Sequence, residues 1–293
     1  DKEWLACDTW PSSRFFGRCY LAYLEGKTRE IRTRRSADGG RTWSAPVSAP
    51  LDDPELVGNG AFPIVRPDGA LLVLYSVYGS IDPDADSIAV ARSIDGGATF
   101  GPAQRIASLL TEEIGIRAPP FVSADVDVGG TVYVTWSDCR FNAQCAANGV
   151  VLVTSRDGIV WTQPRRVPFG PVEAAVDHFT PAVAVDRATS GTSARIAITA
   201  YSATQAHGCR NCELVDAFLI GSSDGGRTWQ APRRLNAESM ALDWVADTGL
   251  GRMLADYISV SYVGGRPVPV LSLAAEPVAG EFRQAIFAST RVR

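Results

Sequence analysis

The residues best suited to chemistry in this 293-residue chain are few and unevenly placed. Six cysteines come in three close pairs, Cys7 with Cys19, Cys139 with Cys145, and Cys209 with Cys212. An even count in local pairs reads as three disulfides of an exported protein. Four thiolates from the last two pairs form the alternative, a zinc site, for which the C-x5-C spacing is poor. His178 and His207 are the only histidines, and His178 reads as a satisfied residue ahead of "FTP". A Ser-His-Asp triad would want a G-x-S-x-G elbow, and none is present. No H-E-x-x-H stretch or phosphate loop occurs either. The one carboxylate cluster that suggests calcium, "DPDAD" (82–86), reads as a solvated loop. No metal and no cofactor are expected.

Two long cysteine-bearing segments draw attention next, "WSDCRFNAQCAANG" (136–149) and "YSATQAHGCRNCELVD" (201–216). A long loop held by a disulfide is more often functional than a plain hairpin. What must position these loops is a repeat. "SADGGRTW" (36–43), "SIDGGATF" (93–100) and "SSDGGRTW" (222–229) are near copies, and "SRDGIVW" (155–161) is one residue short. The opening serines are 57, 62 and 67 residues apart, a period suited to propeller blades. Glycine supplies positive φ, and a short Asp or Ser side chain can bond the turn's own backbone. These aspartates therefore hold turns and do no chemistry.

Each unit reads as a four-stranded antiparallel blade. "AFPIVRPDGALLVLYSVY" (61–78) gives two strands around a Pro-Asp-Gly turn. "SIAVARSIDGG" (87–97) gives the third, and a short fourth follows the aromatic residue. Five blades are identifiable in one all-β domain spanning residues 1–293. The last, built from 252–274 and 282–290, lacks a fourth strand. An unpaired edge favours a ring of six completed by a segment ahead of Asp1 over a ring closing on five. The opening "DKEWLACD" reads as a mature or trimmed start.

Composition narrows the partners. The net charge of −4 argues against nucleic acid. No apolar run approaches the roughly 20 residues of a membrane helix, so no membrane insertion is expected. Only Lys2 and Lys27 are lysines, so arginine is abundant and a lone arginine says little. The expected protein is secreted and monomeric.

The motif S-x-D-x-G-x-T-W resembles the Asp box of the sialidase-like β-propellers, also called the BNR repeat, across almost the whole chain. Ser36, Asp38, Gly40, Thr42 and Trp43 carry it, as do Ser222, Asp224, Gly226, Thr228 and Trp229. Ser93, Asp95, Gly97 and Thr99 carry it with Phe100 at the end. The resemblance implies a glycoside hydrolase acting on an acidic or polar glycan. In that family arginines clamp a substrate carboxylate, a glutamate-activated tyrosine attacks, and an aspartate is acid/base. On this chain it implies Arg117 of "IRAP", Arg140, Arg252 and His178 at the substrate. Asp138 would be the acid/base, and Tyr257 beside Asp256 the nucleophile. The activating glutamate would be Glu3, Glu173 or Glu213. Topology puts all of these at inner-strand starts or in two-to-three loops, on the face opposite the Asp turns. The alternative is a non-catalytic carbohydrate- or protein-binding cell-surface propeller, which would present aromatic platforms instead of facing carboxylates.

Overall fold

A computed structural model describes residues 1–51, 56–79, 86–174, 176–205 and 213–289, without the side chains of 173 and 205. Among these residues the regular structure is β-strand, apart from single 3-10 turns such as Ala143–Cys145. The first sheet orders β1 (Trp4–Cys7), β2 (Cys19–Glu25), β3 (Glu30–Ser36) and β4 (Val47–Ala49) as in the chain. The second does the same with β5 (Val57–Val65), β6 (Leu71–Tyr78), β7 (Ser87–Ser93) and β8 (Gln104–Ser108). The third has β9 (Ser123–Val126), β10 (Val132–Asp138), β11 (Gly149–Ser155) and β12 (Arg165–Val167). In the fourth, β13 (Asp177–Val185), β14 (Ile196–Gln205), β15 (Glu213–Ser222) and β16 (Arg233–Arg234) are joined by β17 (Met240–Ala241), which also pairs with β15. A ribbon of β18 (Asp247–Thr248) and β19 (Gly251–Arg252) follows. The last sheet has three strands, β20 (Ser259–Val263), β21 (Arg266–Val278) and β22 (Glu281–Ala288).

Meandering sheets with a short outer strand match the strand pattern read from sequence. Two segments depart from it. Residues 115–122 precede β9 as irregular chain rather than as its first residues. Pro119 and Pro120 lack the N–H that a ladder needs. Arg252 closes the small ribbon, and Asp256 and Tyr257 lie in irregular chain before β20.

The fold separates into two compact units. The first comprises Asp1–Leu110, Phe121–Val134 and Val153–Pro164. Its centre is β6, where Leu71 to Tyr75 are fully buried on both faces. Each such leucine contributes about 1.5–3 kcal/mol by leaving water. Gly60, at φ 66°, lies under the Phe121 ring, where a Cβ would come within 2.4 Å of it. Any larger residue would displace the ring. Cys7 and Cys19 sit opposite each other on β1 and β2 and form a disulfide.

The second unit comprises Thr111–Pro120, Thr135–Leu152 and Arg165–Arg293. Phe179 and Tyr201, register partners on β13 and β14, stack at 5.4 Å between ring centroids. The buried Tyr201 hydroxyl donates to the Ser272 carbonyl at 2.7 Å and accepts the Ser272 N–H at 2.9 Å. It thereby ties the fourth sheet to the last. Burial pushes this phenol well above its usual range. Cys139 and Cys145 form the second disulfide. Cys209, Cys212, His207 and all of "DPDAD" except Asp86 lie outside the described residues.

The four Asp turns share one set of hydrogen bonds. Ser36, Ser93, Ser155 and Ser222 each donate to Oδ1 of the aspartate two residues on, at 2.8 to 3.0 Å. Each serine Oγ also accepts a glycine N–H, from Gly40, Gly97, Gly158 and Gly226. Thr42 bonds Asp38 through both its N–H and its hydroxyl, as Thr228 does Asp224. The Thr42 hydroxyl and N–H, then Ser36, hold Asp38 down to about 2. In the shortened third turn the backbone N–H groups of Val160 and Ile159 replace the threonine.

Candidate active site

β15 carries Ser222 of the fourth Asp turn at one end and Glu213 at the other. Ten residues of strand put about 30 Å between them. Glu112, Asn148 and Asp177 gather near the Glu213 end.

The centre of this group is Asn148, a buried residue at the close of the disulfide-bearing 139–148 loop. Its backbone N–H donates to Asp177 Oδ1 at 2.8 Å, and its side-chain amide approaches the same oxygen at 3.4 Å. That amide also donates to the Glu112 carbonyl at 2.7 Å, while Asn148 Oδ1 accepts the Glu112 N–H at 3.0 Å. The Asn148 carbonyl accepts the His178 N–H at 2.8 Å. One asparagine thus joins the 112 segment to the start of β13.

Asp177 opens β13 and is half-buried. It pairs with Ala203, which pairs with Val215, and Glu213 stands two residues from Val215. Period-two alternation puts the Asp177 and Glu213 side chains on one face. The Asp177 carboxyl is raised above the ordinary aspartate value. Burial is the largest cause, and the negative charges of Glu213 and Glu112 add to it, against the Asn148 donors that pull it down. The Glu213 carboxylate packs on Gly115, where a Cβ would sit 3.0 Å from Oε1. Only a residue without a side chain lets it come so close.

The residues expected from sequence fall into three groups. Arg117, two residues past Gly115, donates its N–H to the Arg252 carbonyl at 2.8 Å. Its guanidinium pairs with Asp256 at 2.8 Å and also meets Met253 Sδ. The Arg252 guanidinium turns to the Val245 and Asp243 carbonyls, at 2.6 and 3.1 Å. Arg117, Arg252 and Asp256 are therefore together, with Tyr257 next in the chain and partly buried.

Asp138 and Arg140 form the second group. Asp138 is 0% exposed, and four donors meet its carboxylate. Oδ1 accepts Arg140 Nε at 2.7 Å and its N–H at 2.9 Å, while Oδ2 accepts Arg140 Nη2 at 2.7 Å and Trp136 Nε1 at 2.9 Å. This is a forked ion pair that shapes the loop. Both carboxylate oxygens are spoken for.

His178 is the third. It is buried and tilted against Phe169, with ring centroids 5.5 Å apart. Burial, with the Arg166 charge adding, pulls its imidazole down to about 4. It is neutral at neutral pH.

Sequence reasoning passed over Asp177, Asn148 and Glu112, and ranked Glu213 only as one of three glutamates topologically able to assist Tyr257. The available signal was Asp177 itself, beside His178 at an inner-strand start. Of the other two glutamates, Glu3 is exposed near the start of β1, and the side chain of Glu173 lies outside the described residues.

No family model matches the chain. Solved structures do. A Penicillium chrysogenum α-L-arabinanase complexed with arabinobiose has a TM-score of 0.55 and 15% identity, covering 97% of this chain and 80% of that one. A mutant α-L-arabinofuranosidase from Fusarium graminearum, in complex with an iminosugar inhibitor, has a TM-score of 0.55 and 13% identity, over 93% of this chain and 89% of that one. A polysaccharide lyase described as an ulvan lyase has the same TM-score with 10% identity, over 94% and 67%. The shared property is the fold.

Proposed function

We propose that this chain is a β-propeller glycoside hydrolase whose working carboxyls are Asp177 and Glu213. The observation that carries the reading is the raised Asp177 carboxyl facing the Glu213 side of one sheet end. A glycosidase needs one carboxyl that keeps its proton and a second that stays ionised. Asp177 donates its proton to the leaving glycosidic oxygen as the bond to the anomeric carbon breaks. Glu213 attacks that carbon or takes a proton from the water that does. Asn148 keeps Asp177 Oδ1 occupied and so leaves Oδ2 to carry the proton. The acid/base role read onto Asp138 moves to Asp177 in this account.

The substrate is a polar glycan, and an α-L-arabinofuranoside is the favoured class. The named activities of the arabinanase and the arabinofuranosidase support it. The arginines support a neutral sugar as well, since Arg117, Arg140 and Arg252 already hold protein acceptors. An acidic, sialidase-type substrate would have to displace Asp256 from Arg117. Two disulfides support an extracytoplasmic location. No helix among the described residues is long and apolar enough to cross a membrane.

The test is a panel of aryl glycosides that includes the α-L-arabinofuranoside and a sialoside. Turnover of the arabinofuranoside that vanishes in Asp177→Asn supports the reading. Turnover of the sialoside alone supports the acidic-sugar variant. Silence across the panel, or an Asp177→Asn protein with full activity, overturns the proposal.

A further inference from the structure

The third Asp turn is one residue shorter than the others, and a guanidinium is left over where it contracts. Arg35 stands immediately before Ser36, and its Nη1 donates to the Gly97 carbonyl of the second turn at 2.9 Å. Arg92 holds the same place before Ser93. By its bond to the turn serine, Gly158 is the counterpart of Gly97 in the third turn. Arg92 makes no bond to it. Among the described residues the Arg92 guanidinium has no hydrogen-bond partner, and its Nε is closed off from solvent.

A cleft of about 280 Å³ lies there instead, lined by Val90, Arg92, Ile94, Pro102, Gln104 and Ile159 among others. All of it belongs to the first unit. Gln104 Nε2 holds the Ile159 carbonyl at 2.6 Å and so fixes one wall. Ile94 and Ile159 are 59% and 48% exposed, an unusual state for isoleucine. Asp95 and Asp157, in the turns beside the cleft, accept their own turns' Ser, Thr and backbone donors and form no ion pair with Arg92.

We propose that this cleft is a binding site for a small monocarboxylate bearing a compact branched apolar group. The planar guanidinium matches a carboxylate fork. The isoleucine and valine walls give the apolar body somewhere dry to sit. A neutral sugar would meet those walls with hydroxyls and bring no charge, so the site is distinct in chemistry from the glycan site proposed above. One ion pair and one small apolar contact support a dissociation constant on the order of 1 mM.

The experiment follows the Ile94 and Ile159 methyl groups by NMR while isobutyrate is titrated into the whole protein. Saturable shifts are expected, with isobutyramide of the same shape at least tenfold weaker. Arg92→Gln should lose the isobutyrate response and Arg92→Lys should keep part of it. Inserting a glycine after Asp157, which restores the Asp-Gly-Gly turn, should abolish it. Equal binding of the amide, no saturable shift with isobutyrate, or an unchanged response in Arg92→Gln would overturn the proposal. The comparison of acid with amide uses only the unmodified protein, so it decides the matter even if a variant folds poorly.

Discussion

The backbone N–H of Asn148 and the carboxylate of Asp177 meet at 2.8 Å across 29 residues of sequence. The contact joins the last residue of a disulfide-bearing loop to the first residue of β13. It occupies one carboxylate oxygen, Oδ1, with both the backbone N–H and the side-chain amide of Asn148.

Asp177→Asn and Glu213→Gln should each lower kcat/KM on a responsive glycoside by about 10²–10⁴-fold. Thermal melts should stay near the parent, because each change keeps the side-chain shape. Steady-state kinetics beside a melting curve checks both halves. A variant that loses activity only by unfolding would count against the roles.

The pH profile follows from the direction of the Asp177 shift. A raised carboxyl keeps its proton above the ordinary aspartate value of 3.8, so activity should persist past it and fall as pH climbs through the raised value. The linkage has the same sign. The native state holds an extra proton in that window, so this group's contribution to stability declines as pH rises across it. Removing the Glu213 charge in Glu213→Gln should lower the Asp177 value. Either the residual activity or the Asp177 carboxyl NMR signal should then titrate at lower pH. A titration that stays put would show that the two carboxyls do not interact.

Ser222→Ala should cost about 1–2 kcal/mol and leave kcat untouched, since it breaks buried turn bonds about a strand length from Glu213. Urea denaturation at neutral pH measures the loss. In acid the turns weaken further. Asp38 falls from 3.8 to about 2 on folding, so its contribution is complete above the ordinary value and disappears as pH drops through about 2.

Arg140→Met should destabilise the protein by about 3 kcal/mol, because it strands the Asp138 charge at 0% exposure. The double variant Asp138→Asn, Arg140→Met should recover most of that, with the asparagine oxygen still open to the Trp136 indole. A double-mutant cycle in denaturant reads the difference. Additive losses would mean that the pair is not coupled.

The parts of this molecule that were legible in sequence are those closed by neighbours in the chain. An Asp turn needs a serine, an aspartate and a glycine, with a threonine in three of the four, within seven residues, and its hydrogen bonds stay inside that window. The hairpins around Pro67-Asp68-Gly69 and Gly129-Gly130 were equally local, and so was the Cys139–Cys145 pair. Glu112, Asn148, Asp177 and Glu213 come from four distant segments, and no spacing rule relates them. Asp177 was hidden by its neighbour, since the rarer His178 attracted the functional reading. Arg117 was read as opening the first strand of the third sheet, whereas it lies in the irregular segment ahead of β9, because Pro119 and Pro120 lack the N–H that a ladder needs.

The distance along β15 between its serine turn and Glu213 has an evolutionary reading. The turn bonds lie at one end of the strand and the carboxyls proposed for catalysis at the other, so each set can be altered without the other. A directed-evolution library confined to residues 141–144 would vary the loop ahead of Asn148 while sparing Gly115, Arg140, the Cys139–Cys145 disulfide and the bonds that close the turns.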